Sequence, residues 1–134
     1  MINYVSILEQ NPSGVMATKN NEKVKTRVFQ YLFAEGKKIY FCTSSEKAVY
    51  AQMQSDANAS FCTYPPNFAP VLSLSGKVTF VEDTALKERA LAENPLLQTI
   101  YGSAKNPIFK MLYLEIAEIE TFSLAEGLKQ YRLD

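Results

Sequence analysis

The sequence predicts a small antiparallel β-barrel with helices inserted between its strands, and three observations carry that prediction. About six segments rich in apolar, aromatic and β-branched residues have the length and alternation of strands. Short segments with helical spacing interrupt them instead of following each strand in turn, as a parallel α/β sheet would require. Gly76 breaks the inner row of a long strand, as a bend or bulge in a curved sheet does. At 134 residues the chain has material for one core and not for two, so a single domain over residues 1–134 is expected.

Taken in order, Tyr4 to Gln10 sets Val5, Ile7 and Leu8 in a short amphipathic helix, ended by Asn11-Pro12-Ser13-Gly14. Val15 to Thr18 is a strand and Asn20-Asn21 a tight turn. In the second strand, Val24 to Phe33, Lys25, Arg27, Phe29, Tyr31 and Phe33 alternate with Thr26, Val28, Gln30 and Leu32. Glu35-Gly36 turns the chain into Lys38 to Thr43, giving three strands in a meander. A helix from Ser45 to about Gln54 points Ala48, Val49, Ala51 and Met53 at the core. Ala57 to Tyr64 is a further strand, closed by Pro65-Pro66 and Pro70, which cannot continue a ladder.

In the strand Val71 to Val81, Leu72, Leu74, Val78 and Phe80 share one face. Asp83-Thr84 caps a helix that runs to Glu93 and ends at Asn94-Pro95. After a loose segment, Phe109 to Phe122 is the last long strand. Phe29 to Phe33 and Phe109 to Leu114 are apolar on both faces. A wall of that kind needs a second cover, for which a homodimer is the expectation.

Fourteen Lys and Arg balance fourteen Asp and Glu, which argues against nucleic acid or an acidic membrane as partner. The balance is uneven along the chain. Between residues 19 and 38, Lys19, Lys23, Lys25, Arg27, Lys37 and Lys38 meet only Glu22 and Glu35. No cationic leader with an apolar stretch and no apolar run of membrane-spanning length occur, so a cytoplasmic protein is expected.

There is no histidine, which rules out Ser-His-Asp and Cys-His catalysis and any His-ligated zinc or haem. Cys42 and Cys62 lie in strand patterns and read as small buried hydrophobes. No metal site is expected. Tyr50, Tyr101 and Tyr113 are candidate proton donors, with packing as the plainer role of each.

The stretch Ile39 to Gln54 carries the chemistry. An apolar strand runs into the hydroxyl-rich turn Thr43-Ser44-Ser45, and the turn opens a helix with Lys47 in its first turn. A helix start presents unpaired N–H groups that suit a phosphate. A cation there is mildly unfavourable unless an anion accompanies it, and Glu46 is one candidate for that anion. Arg27, mid-strand among apolar neighbours and with no carboxylate beside it on its strand, is a second candidate anion ligand. The alternatives remain open: Arg27 snorkelling to solvent or pairing with a distant Glu, Lys47 solvated, Thr43 or Ser45 capping the helix.

The order of these segments resembles the flavin-binding split-barrel family related to pyridoxamine 5′-phosphate oxidase. Gly14-Val15-Met16-Ala17-Thr18, Thr26-Arg27-Val28-Phe29, Tyr40 to Ala48, Asn58-Ala59-Ser60-Phe61 and Ser75-Gly76-Lys77-Val78 carry the resemblance in sequence order. It implies a six-stranded split barrel and a homodimer with FMN held at the subunit interface. It further implies that Arg27 and Lys47 face the FMN phosphate, that Thr43, Ser44 and Ser45 add hydroxyl and backbone contacts, and that Val28, Phe29 and Cys42 line the ring or ribityl chain.

The family's C-terminal Arg-x-His element is absent, and the chain contains neither His nor Trp. The resemblance is therefore to a short, generic member and not to a true vitamin B6 oxidase. It implies an FMN-binding oxidoreductase acting on an unidentified small substrate. A flavin carrier or sensor without turnover, and a cofactor-free interaction domain, stay as alternatives.

Overall fold

The computed structural model describes residues 2–133. Along the chain lie α1 (Tyr4–Gln10), β1 (Ser13–Asn20), β2 (Lys23–Gln30), β3 (Phe33–Glu35), β4 (Lys38–Ser44), α2 (Ala48–Ser55), β5 (Asn58–Thr63), β6 (Val71–Val81), α3 (Thr84–Glu93), α4 (Pro95–Tyr101), β7 (Phe109–Ser123) and β8 (Gly127–Arg132). The strands form one sheet in the order β2-β1-β5-β6-β7-β4-β3, with β8 added to β7. Every pairing is antiparallel.

The sheet curls into a barrel that does not fully close. β2 and β3 stand at opposite ends of the strand order, yet only Tyr31 and Leu32 separate them. At this join the chain changes partners. Tyr31 N–H donates to Pro12 O at 2.7 Å, and Leu32 N–H donates to Tyr40 O at 3.0 Å. The expected single strand Val24 to Phe33 is therefore broken in two, and the expected meander is a strand handed from one edge of the sheet to the other. The alternation of side chains continues through the join, which is why the sequence alone does not reveal it.

Eight strands replace the expected six, because β3 separates from β2 and Gly127–Arg132 forms β8. The long β6–β7 ladder shifts register between Ser75 and Gly76, the bulge that the glycine predicts. A Cβ at Gly76 would lie 1.9 Å from the backbone oxygen of Glu115, so no other residue fits.

The barrel interior is filled by Met16, Phe29, Phe41, Phe61, Leu74 and Leu112, among others, all buried. Phe41 meets Phe29 edge-on at 5.9 Å and Phe61 at 4.8 Å between centroids. From α2, Val49 and Met53 join this core; Ala48 and Ala51, expected to do so, face solvent.

A second core lies outside the barrel wall, where Ala90 and Leu91 of α3 and Tyr101 of α4 cover Phe33, Tyr40, Phe109 and Met111. This wall is apolar on both faces, as expected, but its cover comes from the same chain. That wall by itself thus requires no second subunit.

The Asp83 carboxylate caps α3 by accepting the Leu86 N–H at 3.2 Å. Asn94-Pro95 does end α3, but Pro95 also opens α4, where a missing N–H costs nothing, so part of the expected loose segment is helical.

Among the described residues no helix lies over the outer face of β2, β1, β5, β6, β7 and β8. Paired residues set Val28, Val15, Cys62, Ser73, Glu120 and Gln130 in one row across it. The neighbouring row runs Thr26, Ala17, Ser60, Ser75, Glu118 and Arg132. Its middle is built from small side chains, with Ser60 and Ser75 hydroxyls 2.7 Å apart. At one end Tyr64 stacks on Phe68, and exposed Phe68, Phe122 and Leu124 form an apolar rim. Among the described residues no helix is long and apolar enough to cross a membrane.

Candidate functional site

Arg27 projects from β2 on the same side as Phe29, toward the end of the barrel that α2 covers. Its guanidinium meets only uncharged oxygens. Nη1 donates to Thr18 Oγ1 at 2.6 Å and, at 3.3 Å, to the backbone oxygens of Met16 and Lys25. Nη2 donates to Gln52 Oε1 at 2.6 Å, and the Thr18 hydroxyl donates to the same oxygen at 3.1 Å. No carboxylate comes within ion-pair distance of Arg27 among the described residues, and partial burial lowers its pKa.

The cation has thus been drawn partly out of water without a counter-charge. Thr18 and Gln52 escaped the sequence reading. The one available signal for Gln52 was a polar side chain beside the two core residues Val49 and Met53 of a short helix.

The turn after β4 is more tightly self-bonded than its sequence suggests. Ser45 N–H donates to Ile108 O at 2.9 Å, Lys47 N–H to Ser44 O at 3.0 Å, and Glu46 N–H to Ser44 Oγ at 3.1 Å. These three amides are consumed within the chain. Helix α2 begins at Ala48, later than expected, so Lys47 is its N-cap residue and stands just before the first turn. Neither Thr43 nor Ser45 caps the helix, and the Lys47 side chain makes no capping bond. Tyr50 N–H reaches Lys47 O at 3.1 Å, which leaves the Ala48 and Val49 amides as the unpaired donors of the helix start among the described residues.

Thr43 and Ser44 are buried, while Lys47 is exposed. No contact joins Arg27 to Lys47 directly. Both belong to the surroundings of α2, one through its N-cap and the other through Gln52, five residues or roughly 7.5 Å further along the helix.

The remaining candidates differ in what they offer a ligand. Val28 is 73% exposed on β2, which lies at an end of the strand order, so its side chain and neighbouring backbone are open to contact. The Phe29 ring is buried inside the barrel, and its backbone pairs with Gly14 of β1. Cys42 points into the second core, where burial pushes its thiol up to about 12.

Tyr101 stacks on Phe109 at 4.5 Å and is likewise pushed up to about 12 by burial. Tyr50 packs edge-on against Phe80 at 4.8 Å, and Tyr113 lies beside Tyr40 with the Lys38 ammonium over its ring. All three tyrosines make ring contacts. Among the described residues no His, Cys, Asp or Glu cluster of metal-binding size occurs. The arrangement can bind an anion; neither Cys42 nor Tyr101 is tuned for proton transfer near neutral pH.

The comparisons with known proteins agree with this architecture. A structure of a NimC/NimA family protein from Clostridium acetobutylicum superposes with a TM-score of 0.86 at 22% identity, covering 97% of this chain and 90% of that one. A pyridoxamine 5′-phosphate oxidase-related, FMN-binding protein from Nostoc punctiforme gives 0.62 at 16% identity, with 92% and 87% covered. A heme-binding protein from Mycobacterium smegmatis gives 0.77 at 15% identity, with 94% and 55% covered.

At these identities the likeness is one of fold. No curated protein matches the sequence. The family model described as pyridoxamine 5′-phosphate oxidase matches residues 2–123, from ahead of α1 to the end of β7. The chain belongs to the pyridoxamine 5′-phosphate oxidase family.

Proposed function

We propose that the protein is an FMN-binding oxidoreductase that works on a small substrate, as a homodimer with the flavin at the subunit interface. The observation that carries this reading is Arg27, a partly buried cation bonded only to neutral oxygens. Such a group favours a ligand with concentrated negative charge, and a phosphate monoester supplies it. The exposed Lys47 and the Ala48 and Val49 amides at the head of α2 add a point charge and two donors nearby in the fold.

Thr43, Ser44 and Ser45 shape that turn, and the exposed strand at Val28 offers a wall for the ring. When bound, the flavin supplies the redox chemistry, exchanging a hydride or electrons. The protein's part is to bind and orient it. Support for the dimer is the helix-free outer face with its small-residue middle and apolar rim.

Haem fits this chain poorly as an alternative cofactor, since it has no histidine and the half-buried Cys42 thiol is pushed up to about 12.

A flavin carrier or sensor without turnover is the second reading. It is favoured by the upward shifts of Cys42 and Tyr101, which leave neither as an acid or base near pH 7. The absorbance spectrum of purified protein, with and without FMN, tests binding. Arg27→Ala and Lys47→Ala are each expected to weaken FMN by about 1–3 kcal/mol, the scale of a charged hydrogen bond. Undiminished binding in both variants overturns the site. Bleaching of the bound flavin by NADH or NADPH separates the enzyme from the carrier.

A further inference from the structure

We infer that Thr18 and Gln52 are positioning residues that aim Arg27 at a phosphate and keep its charge available, so that the site selects phosphorylated over unphosphorylated flavin. The inference rests on the reading of Arg27 as a phosphate ligand and adds the device that makes it one.

The geometry is specific. Thr18 Oγ1 and Gln52 Oε1 lie 3.1 Å apart, and each is 2.6 Å from a different terminal nitrogen of the guanidinium. They therefore occupy the end-on edge, the one spanning Nη1 and Nη2. The proton relations are complete: Arg27 donates to both oxygens, and the Thr18 hydroxyl donates its own proton to Gln52. Because the two donors face it, the Gln52 amide must present its oxygen.

The other edge, formed by Nε–H and the second Nη2–H, has no protein acceptor among the described residues. That edge is a two-pronged donor of the shape that grips a phosphate. Thr18 is only 2% exposed, and Gln52 is half-buried on α2, so both oxygens are held by packing.

The choice of neutral acceptors is the point. A carboxylate at position 52 would hold Arg27 in the same place, but it would cancel the charge that an incoming phosphate needs. An amide and a hydroxyl orient the fork while leaving the full positive charge in place. Gln52 also ties this cation to α2, whose head carries Lys47, so that one helix sets the position of both charges.

Gln52→Glu, which keeps the shape of the side chain and adds a charge, tests the inference. Titrations of FMN and riboflavin are followed by flavin fluorescence in the parent and the variant, beside the melting temperature of the flavin-free protein. The expected result is an FMN affinity lower by about tenfold to a hundredfold, unchanged riboflavin affinity, and a melting temperature that holds or rises. A purely structural role predicts equal losses for the two flavins, and that outcome overturns the inference, as does unchanged FMN binding.

Thr18→Val covers the case in which Gln52→Glu fails to fold. It is expected to lower FMN affinity selectively by about threefold to tenfold, with Thr18→Ser restoring it. The parent protein tests the underlying reading separately. If it binds FMN no better than riboflavin, the phosphate site itself is wrong, and the inference falls with it.

Discussion

Arg27 and Cys42 show how far a side chain's surroundings decide its use. Neither forms an ion pair among the described residues. Arg27 sits at the barrel end, where polar side chains from β1 and α2 reach it, and its charge persists. Cys42 sits against the outer core, where burial disfavours the thiolate more than the nearby Lys47 ammonium favours it, and its pKa rises from an ordinary 9.0 to about 12. Below pH 9 the thiol is protonated whether the chain is folded or unfolded, and the stability it contributes is fully present. Between pH 9 and about 12 the unfolded chain releases the proton first. Stability then falls as pH rises, by about 1.4 kcal/mol per pH unit for this group. Tyr101, shifted in the same direction, adds to the fall at the upper end of that window. Urea midpoints at about pH 8 and about pH 10.5 are expected to separate more in the parent than in Cys42→Ala. Equal separation means that Cys42 ionises freely in the folded protein.

At the level of elements, legibility followed locality. The β6 bulge was readable because Gly76 marks it within its own strand, and the structure adds the reason: Glu115 O leaves no room for a Cβ. Gly76→Ala is expected to destabilise the fold by at least about 2 kcal/mol, because backbone atoms must shift to admit the methyl. A melting curve close to that of the parent would show that the bulge relaxes easily. The α3 cap was readable from Asp83-Thr84 for the same local reason.

The head of α2 was less legible. Thr43-Ser44-Ser45 has the composition of a helix cap, but Ser44 spends its hydroxyl on the turn and the helix starts at Ala48. The break between β2 and β3 left no local trace, since it reflects which strands lie beside the chain and not how the chain itself bends. Pro95 was read only as a stop, although proline also suits the first turn of a helix.

For the whole molecule, the question is which apolar surface the chain covers for itself. The wall built from β3, β4 and β7 is covered by α3 and α4, while the face spanning β2, β1, β5 and β6 is left without a helix. The expectation of a partner therefore moves from the first surface to the second. If a second subunit packs there, Ala17→Lys, in the middle of the small-residue rows, is expected to convert a dimer to a monomer in sedimentation velocity. It should also weaken FMN binding if the flavin lies between subunits. A monomeric parent, or a variant that dimerises unchanged, rejects this face as the interface.

The sequence by itself determined the antiparallel curved sheet, most of its strands, the absence of histidine chemistry and the choice of Arg27 and Lys47 as cations worth following. Each of these depends on residue type and short-range spacing. The tertiary structure alone decided that Arg27 meets Thr18 and Gln52 in place of a carboxylate, that Cys42 turns into a packed core, and which faces of the sheet are covered. Those facts depend on residues far apart in sequence being brought together, Thr18 and Gln52 at 34 positions and Cys42 and Met111 further still. No local pattern encodes which neutral oxygen will stand beside a distant positive charge.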